Sequence, residues 1–216
     1  ALPRPKMRLT LTMKFSEIYN MTLMTRRSLM AAGAAAVVFP QPGFALSAPA
    51  AQELVTRLIA DVNTVISSGK SEAGMTVDFG KVLDRHADVP KIARYCLGAD
   101  AWAASASQMT AYAPAFANYI ATKYGRRFRE FIGGEIKVQG ARSIKSWIEV
   151  ETTVLLRGRS PLRMDWHVSD RSGRHLFFNF IIEGVNMLLT ERAEVGAMLD
   201  RQRGDLDKLI AEMRAV

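Results

Sequence analysis

Cysteine is nearly absent from the 216 residues, since Cys96 is the only one. A single cysteine cannot close an internal disulfide, so the hydrophobic core must supply the stability. Cys96 stands between Tyr95 and Leu97 on a predicted apolar helix. That setting predicts a buried, unreactive thiol and argues against a thiol nucleophile.

Histidine is also scarce, with three in the chain, and neither a nucleophile elbow nor a metal-ligand pattern such as His-Glu-x-x-His is present. Two histidines, His167 and His175, fall in one hairpin with Asp165, Ser169 and Asp170. Strand alternation points Asp165 and His167 to solvent, away from the apolar face. These residues do not supply a nucleophile, a base and an orienting group together. We therefore predict that the protein is not an enzyme, with no catalytic residue and no metal site.

The apolar run near the N-terminus is too short to span a membrane. It covers residues 29–39, whereas a spanning helix needs roughly 20 residues. The run follows the pair Arg26-Arg27 and precedes small residues from Ala45 onward, as in a signal peptide. We predict a leader and signal peptide over residues 1–47, with Met24 as a candidate start and residues 1–23 upstream of it. The arginine pair favours the twin-arginine route, and the general export route stays open.

The positive net charge of +8 does not indicate nucleic-acid binding. Six basic residues and one acidic residue precede Ala48, so residues 48–216 carry a net charge of +3. That near balance, with 49% apolar residues, is ordinary for a globular protein. We predict a single domain over residues 48–216 and no nucleic-acid partner.

The period of the apolar residues changes along this domain. Up to Gly134 the spacing is helical, with a short helix expected to begin at Asp78 and a long one expected to bend at Pro114. From Ile136 the period is two over about four segments, and helical spacing returns after Asn186. This order predicts an α+β fold, with an antiparallel sheet of about four strands packed against several helices.

A hairpin over residues 161–186 organises the strand region. Alternation predicts one shared apolar face, formed by Leu162, Met164, Trp166 and Val168 in the first strand and by Leu176, Phe178, Phe180 and Ile182 in the second. A face that is apolar throughout must be covered by other elements. The cover is either helices alone or helices together with a ligand.

Several stretches resemble the MlaC family of phospholipid-binding proteins, also called the toluene-tolerance family. The resemblance rests on Met-Asp-Trp-His-Val at 164–168, Ile-Glu-Gly-Val-Asn at 182–186, Glu-Arg at 191–192, Gly-Asp-Leu-Asp-Lys-Leu-Ile at 204–210, Ile-Ala-Arg-Tyr-Cys-Leu-Gly at 92–98 with Trp102, and the helical positions Phe116, Tyr119, Ile120 and Tyr124. It covers the chain from about Leu54 onward. Three positions depart from the family pattern: His175 replaces Trp, Asn179 replaces Asp and Asn186 replaces Ser. These departures leave the identity of the lipid open.

The resemblance implies a curved sheet with helices around an apolar lipid cavity. It implies a monomeric periplasmic shuttle that carries phospholipid as cargo and needs no cofactor. The implied partners are an outer-membrane lipoprotein–porin complex and an inner-membrane ABC transporter with MCE domains. A carrier of hopanoids or other lipids is an alternative within the family. An adaptor protein without a ligand is an alternative of another class.

The predicted lipid-binding residues lie on the apolar sheet face and on the long helix. They are Phe116, Tyr119, Ile120, Val150, Val154, Met164, Trp166, Phe178, Phe180 and Ile182. The arginines Arg126, Arg127 and Arg129, at the end of the long helix, are a candidate docking surface.

Overall fold

The structure, a computed structural model, describes residues 46–127 and 131–216. The predicted leader lies outside the described residues up to position 45. The described elements are α1 (Ala48–Ile66), α2 (Glu72–His86), α3 (Val89–Leu97), α4 (Asp100–Ala103), α5 (Ala106–Gly125), β1 (Glu135–Ile144), β2 (Trp147–Leu155), β3 (Leu162–Ser169), β4 (Leu176–Ile182), β5 (Val185–Asn186), α6 (Met187–Arg201) and α7 (Leu206–Arg214). Helices precede and follow one sheet, and the predicted α+β class is confirmed.

Serine side chains cap the first two helices. Ser47 and Ser71 each accept a hydrogen bond from the backbone N–H three residues later, both at 3.3 Å. Because Ser71 satisfies that donor, α2 begins at Glu72. The prediction that Asp78 begins a helix is therefore wrong. Asp78 lies inside α2 and accepts a hydrogen bond from Lys81 Nζ at 2.8 Å.

The long helix α5 begins with a reciprocal cap. Ser105 Oγ accepts the Gln108 N–H at 3.1 Å, and Gln108 Oε1 accepts the Ser105 N–H at 3.0 Å. Two backbone N–H groups that lack a partner within the helix are thereby hydrogen-bonded. The helix then continues through Pro114 to Gly125.

The sheet is an antiparallel meander in the order β1-β2-β3-β4-β5. The prediction of about four strands misses β5, in which Ile182 pairs with Val185 across a tight turn. A strand of two residues is too short to show an alternating pattern, so the sequence carries no periodic signal for it.

A β-bulge changes which aromatic residues of β4 share a face. Trp166 pairs with Phe180, but the register then shifts, and Val168 pairs with Phe177. The Phe178 ring lies near His167, at 5.8 Å between ring centroids, on the opposite side of the sheet from Trp166. The prediction that Phe178 shares a face with Phe180 is therefore wrong, because the extra residue in the bulge reverses the alternation.

The face of β3 opposite Trp166 is polar but buried. Asp165 and His167 are each 8% exposed, which corrects the prediction that they point to solvent. Arg163 Nε donates to Asp165 at 3.0 Å, and His167 Nε2 lies 3.3 Å from Glu149. Burial lowers the pKa of His167 despite the opposing effect of Glu149, so its ring is neutral near pH 7.

In the part of the chain that the structure describes, the buried apolar side chains form two clusters. The first lies between α1, α2 and the inner sheet face and includes Val55, Leu58 and Val154. The second joins α3, α5, α6 and α7 and includes Phe116 and Leu209. Helix α5 contributes to both clusters, so it connects the layer on the sheet to the C-terminal helices.

The Cys96 thiol is expected to resist modification in the native protein. It is 1% exposed, and burial raises its pKa to about 12. The thiolate that reacts with alkylating reagents is therefore scarce at pH 8. Mass spectrometry after iodoacetamide treatment should show no adduct on the native protein and one adduct on the urea-unfolded protein. Rapid labelling of the folded protein would contradict this burial.

Two glycine substitutions should change stability in opposite directions. A Cβ at Gly125 would lie 2.8 Å from Thr76 Oγ1 and 3.3 Å from Thr76 Cα, so Gly125→Ala forces α2 and α5 apart. A Cβ at Gly196, within α6, meets nothing within 4 Å. We expect Gly125→Ala to cost about 1–3 kcal/mol and Gly196→Ala to gain about 0.5–1 kcal/mol. Thermal unfolding followed by circular dichroism measures both, and an equal rise of Tm in the two variants would exclude the close contact at Thr76.

Candidate functional site

A cavity of about 510 Å³ lies between the inner sheet face and the helices. Helices α1, α2, α3, α5 and α6 contribute to its lining, and so do all five strands. The side chains that line it are mainly aliphatic and aromatic. This volume falls within the range of about 300–1,000 Å³ typical of small-molecule sites.

Aromatic rings form the sheet side of the cavity. The Trp166 ring lies 5.4 Å from the Phe177 ring and 5.4 Å from the Phe180 ring, measured between centroids. Tyr124 of α5 meets Phe180 edge-on at 6.1 Å. Trp166 Nε1 donates to Thr152 Oγ1 at 3.2 Å within the sheet. The polar atom of Trp166 is thus satisfied by the protein, and its ring provides apolar surface to the cavity.

Eight of the ten predicted lipid-binding residues line the cavity. They are Phe116, Ile120, Val154, Met164, Trp166, Phe178, Phe180 and Ile182. Val150 is fully buried in the core and lies outside the lining. Tyr119 is also outside it, and its hydroxyl donates to Glu194 at 2.8 Å. Phe178 belongs to the lining although its ring packs against His167 and Trp147.

Several residues of the cavity lining, most of them on helices, were not predicted from the sequence. Leu58 and Ile59 of α1, Phe79 and Leu83 of α2, and Phe177 of β4 all line the cavity. The apolar stripes on α1 and α2 are visible in the sequence, but periodicity does not separate a residue of the core from a residue beside a cavity. Phe177 was missed because the bulge could not be read from the alternation.

The open side of the cavity is marked by the lining residues that are exposed. These are Asn63, Arg127, Glu135, Glu183 and Val185. Glu135 begins β1, and Glu183 follows the last residue of β4, so both lie at the same end of the antiparallel sheet. The opening therefore carries both signs of charge.

The arginines predicted at the end of α5 differ in their surroundings. Arg127 borders the cavity, whereas Arg126 lies 3.7 Å from the Glu72 carboxylate. Arg129 lies outside the described residues. The prediction of a docking surface at these arginines stays a prediction.

A polar network interrupts the apolar wall between α5 and α6. Glu191 lines the cavity and is 4% exposed. Its Oε1 accepts hydrogen bonds from Lys123 Nζ at 2.7 Å and from Tyr124 Oη at 2.6 Å. Burial and the hydrogen bond to Glu191 raise the pKa of Tyr124, so its hydroxyl remains a donor at physiological pH.

Within residues 46–127 and 131–216, His, Cys, Asp and Glu side chains do not form a group of three or more that could hold a metal ion. None of the helices described there combines the length and the apolar character needed to cross a membrane. The arrangement of the site is suited to holding apolar chains, with hydrogen-bonding groups on one wall.

Comparison with known proteins agrees with this architecture. A structure described as the phospholipid-binding protein from Ralstonia solanacearum, in complex with a phospholipid, superposes with a TM-score of 0.62. The two sequences are 17% identical, and the match covers 76% of this chain and 98% of that chain. Such a likeness shows a shared fold. The family model described as MlaC protein matches residues 52–215, which is most of the chain, and this protein therefore belongs to the MlaC family.

Proposed function

We propose that this protein is a periplasmic carrier that holds the acyl chains of a phospholipid in the cavity. The observation that carries the proposal is the apolar cavity of about 510 Å³, which has an exposed rim at one end of the sheet. The phospholipid bound to the Ralstonia solanacearum protein of the same fold supports this choice of cargo.

The energetics favour an occupied cavity. Exposing an acyl chain to water costs about 0.8 kcal/mol per CH₂, so a sixteen-carbon chain costs on the order of 10 kcal/mol. That cost is comparable with the whole stability of a domain. The apolar lining of the open cavity also faces water when no ligand is bound. An acyl chain in the cavity removes both apolar surfaces from water together.

Membership in the MlaC family supports a shuttle between two membranes. In this proposal the protein exchanges lipid with an outer-membrane lipoprotein–porin complex and with an inner-membrane ABC transporter that has MCE domains. Exchange requires α1 and α2 to separate from the sheet while the protein is docked, so that the acyl chains do not meet water. An adaptor protein without a ligand would have a filled core, and the cavity does not fit that alternative.

The purified protein is expected to retain lipid. Native mass spectrometry should show a mass increase of one phospholipid, and lipid analysis after denaturation should identify it. A hopanoid in place of phospholipid would favour the alternative carrier within the family. A protein mass without any adduct, after gentle purification, would count against a lipid carrier and favour an adaptor.

Substitutions in the cavity wall should lower the lipid content. Phe180→Asp places a carboxylate among apolar chains, and Val154→Trp fills space that a chain would occupy. We expect roughly tenfold less retained lipid in each, a change of about 1.4 kcal/mol or more. Phosphate analysis of the folded, purified variants measures the effect.

Val77→Asp provides the matched control, because Val77 lies on α2, is 62% exposed and is not part of the lining. It should keep the wild-type lipid content. Unchanged lipid in folded Phe180→Asp and Val154→Trp proteins would exclude this cavity as the binding site.

A further inference from the structure

The outward side of α3 carries basic and aromatic side chains. Lys91, Arg94 and Tyr95 follow the helical spacing i, i+3 and i+4, so they lie on one face of the helix. The opposite face, with Cys96 and Leu97, is buried in the second core cluster. The face that carries Lys91 is therefore turned away from this core.

Two aromatic rings on this side each have an arginine stacked on them. Trp102 of the short helix α4 is 81% exposed, and the Arg94 guanidinium carbon lies 4.7 Å from its ring centroid. Tyr95 is also exposed, and the Arg192 guanidinium carbon lies 5.0 Å from its ring centroid. Both rings thus have a cation beside them and remain open to solvent.

Helix α6 extends this surface. A Cβ at Gly98, the residue after α3, would lie 3.2 Å from Arg192 Nη2, so the guanidinium lies against the end of α3. Leu189 is exposed and precedes Arg192 by three residues, on the same face of α6. We call Lys91, Arg94, Tyr95, Trp102, Leu189 and Arg192 the α3–α6 surface. These six residues are not part of the cavity lining.

The cations of the α3–α6 surface are available to an anionic partner. Lys91, Arg94 and Arg192 each contact an aromatic ring. Within residues 46–127 and 131–216, none of the three forms an ion pair with a carboxylate. Asp100 is the one acidic residue between positions 89 and 103, so the surface is positive overall. A guanidinium stacked on a ring keeps N–H donors at its edge, where an anion can bind.

This combination of groups matches the boundary layer of an anionic bilayer. Trp and Tyr concentrate at membrane–water interfaces, since their rings are apolar and carry one polar atom. Lipid phosphates accept paired hydrogen bonds from arginine, and an anionic leaflet attracts each nearby Lys or Arg. An acidic protein would pair with the cations, but exposed rings at a protein interface need matching pockets. A fluid lipid layer covers Trp102 and Leu189 without such a pocket.

We infer that the α3–α6 surface binds an anionic phospholipid membrane. Trp102 and Leu189 enter the interface, while Arg94 and Arg192 bind lipid phosphates. Helices α3 and α6 contribute to the cavity lining through other residues, so this binding brings one wall of the cavity to the membrane. The inference goes beyond the proposed carriage of lipid, because membrane binding does not require an occupied cavity.

Flotation with vesicles tests the inference. The full chain is mixed with vesicles of dioleoyl phosphatidylcholine, or of equal parts of dioleoyl phosphatidylcholine and dioleoyl phosphatidylglycerol. We expect roughly tenfold or more protein on the vesicles with phosphatidylglycerol, since they attract the three cations. Raising NaCl from about 0.05 M to about 0.5 M should remove most of this binding, because salt screens exposed charges.

A pair of double variants assigns the binding to this surface. Arg94→Gln with Arg192→Gln should weaken binding to the anionic vesicles roughly twentyfold, at about fivefold for each cation. Arg203→Gln with Arg214→Gln is the matched control, because it removes the same charge from exposed residues outside the α3–α6 surface. The control should keep the wild-type binding. Residues 1–45 are the same in every variant, so they do not cause a difference between variants.

Tryptophan fluorescence shows whether the surface itself meets the lipid. Trp102 is exposed, whereas Trp147 and Trp166 belong to strands of the sheet. Anionic vesicles should shift the wild-type emission to shorter wavelength through Trp102. Trp102→Phe keeps an aromatic ring, so it should keep most of the binding and lose the shift.

The outcomes separate this inference from the proposed function. Equal flotation with both vesicles, equal loss in both double variants, or a shift that survives in Trp102→Phe would each overturn it. Binding to polyglutamate through Arg94 and Arg192, without binding to vesicles, would assign the surface to an acidic protein and overturn it as well. If the double variants do not fold, wild-type flotation and fluorescence decide. The carrier is decided separately, by the lipid that the purified protein retains.

Discussion

The apolar inner face of the sheet is the constraint on which the rest of the structure depends. Trp166, Phe177 and Phe180 form a broad aromatic surface on that face, and such a surface must be kept from water. Helices α1 and α2 cover part of it in the first core cluster. They do not fill the whole space, and the remaining volume is the cavity. The cavity is therefore a direct result of how closely the helices approach the sheet.

The position of α5 depends on contacts of two different kinds. At its C-terminal end, Gly125 permits a close approach to Thr76 of α2. On another side, Lys123 and Tyr124 reach Glu191 of α6 through charged hydrogen bonds. The first contact places α5 over the core, and the second introduces the buried charge into the cavity wall. The lining of the cavity is therefore apolar on most sides, with Glu191 as a buried carboxylate and with Glu135 and Glu183 at the exposed rim.

Most of the fold and much of the site could be predicted from the sequence, and the exceptions have physical causes. Met164 and Trp166 were placed correctly beside the cavity because unbroken alternation determines the face on which each lies. Phe178 was assigned to the wrong face of the sheet because one extra residue in a β-bulge reverses the alternation. Neither the length nor the composition of β4 reveals this bulge. Val150 and Val154 share a face, but whether each meets core or cavity depends on the helix above it. Glu191 was not selected from the sequence, because its hydrogen bonds to Lys123 and Tyr124 form only where α5 and α6 meet in space.

The order of the strands has a consequence for how the chain folds. Each strand pairs with its neighbours in sequence, so the sheet can form from successive hairpins that close short loops. The packing of α5 against α7 instead joins segments almost a hundred residues apart, as in the hydrogen bond from Asn118 to the Met213 carbonyl. Loop closure over that distance carries the larger entropic cost. The aromatic sheet side of the cavity can thus form before the C-terminal helices pack against α5.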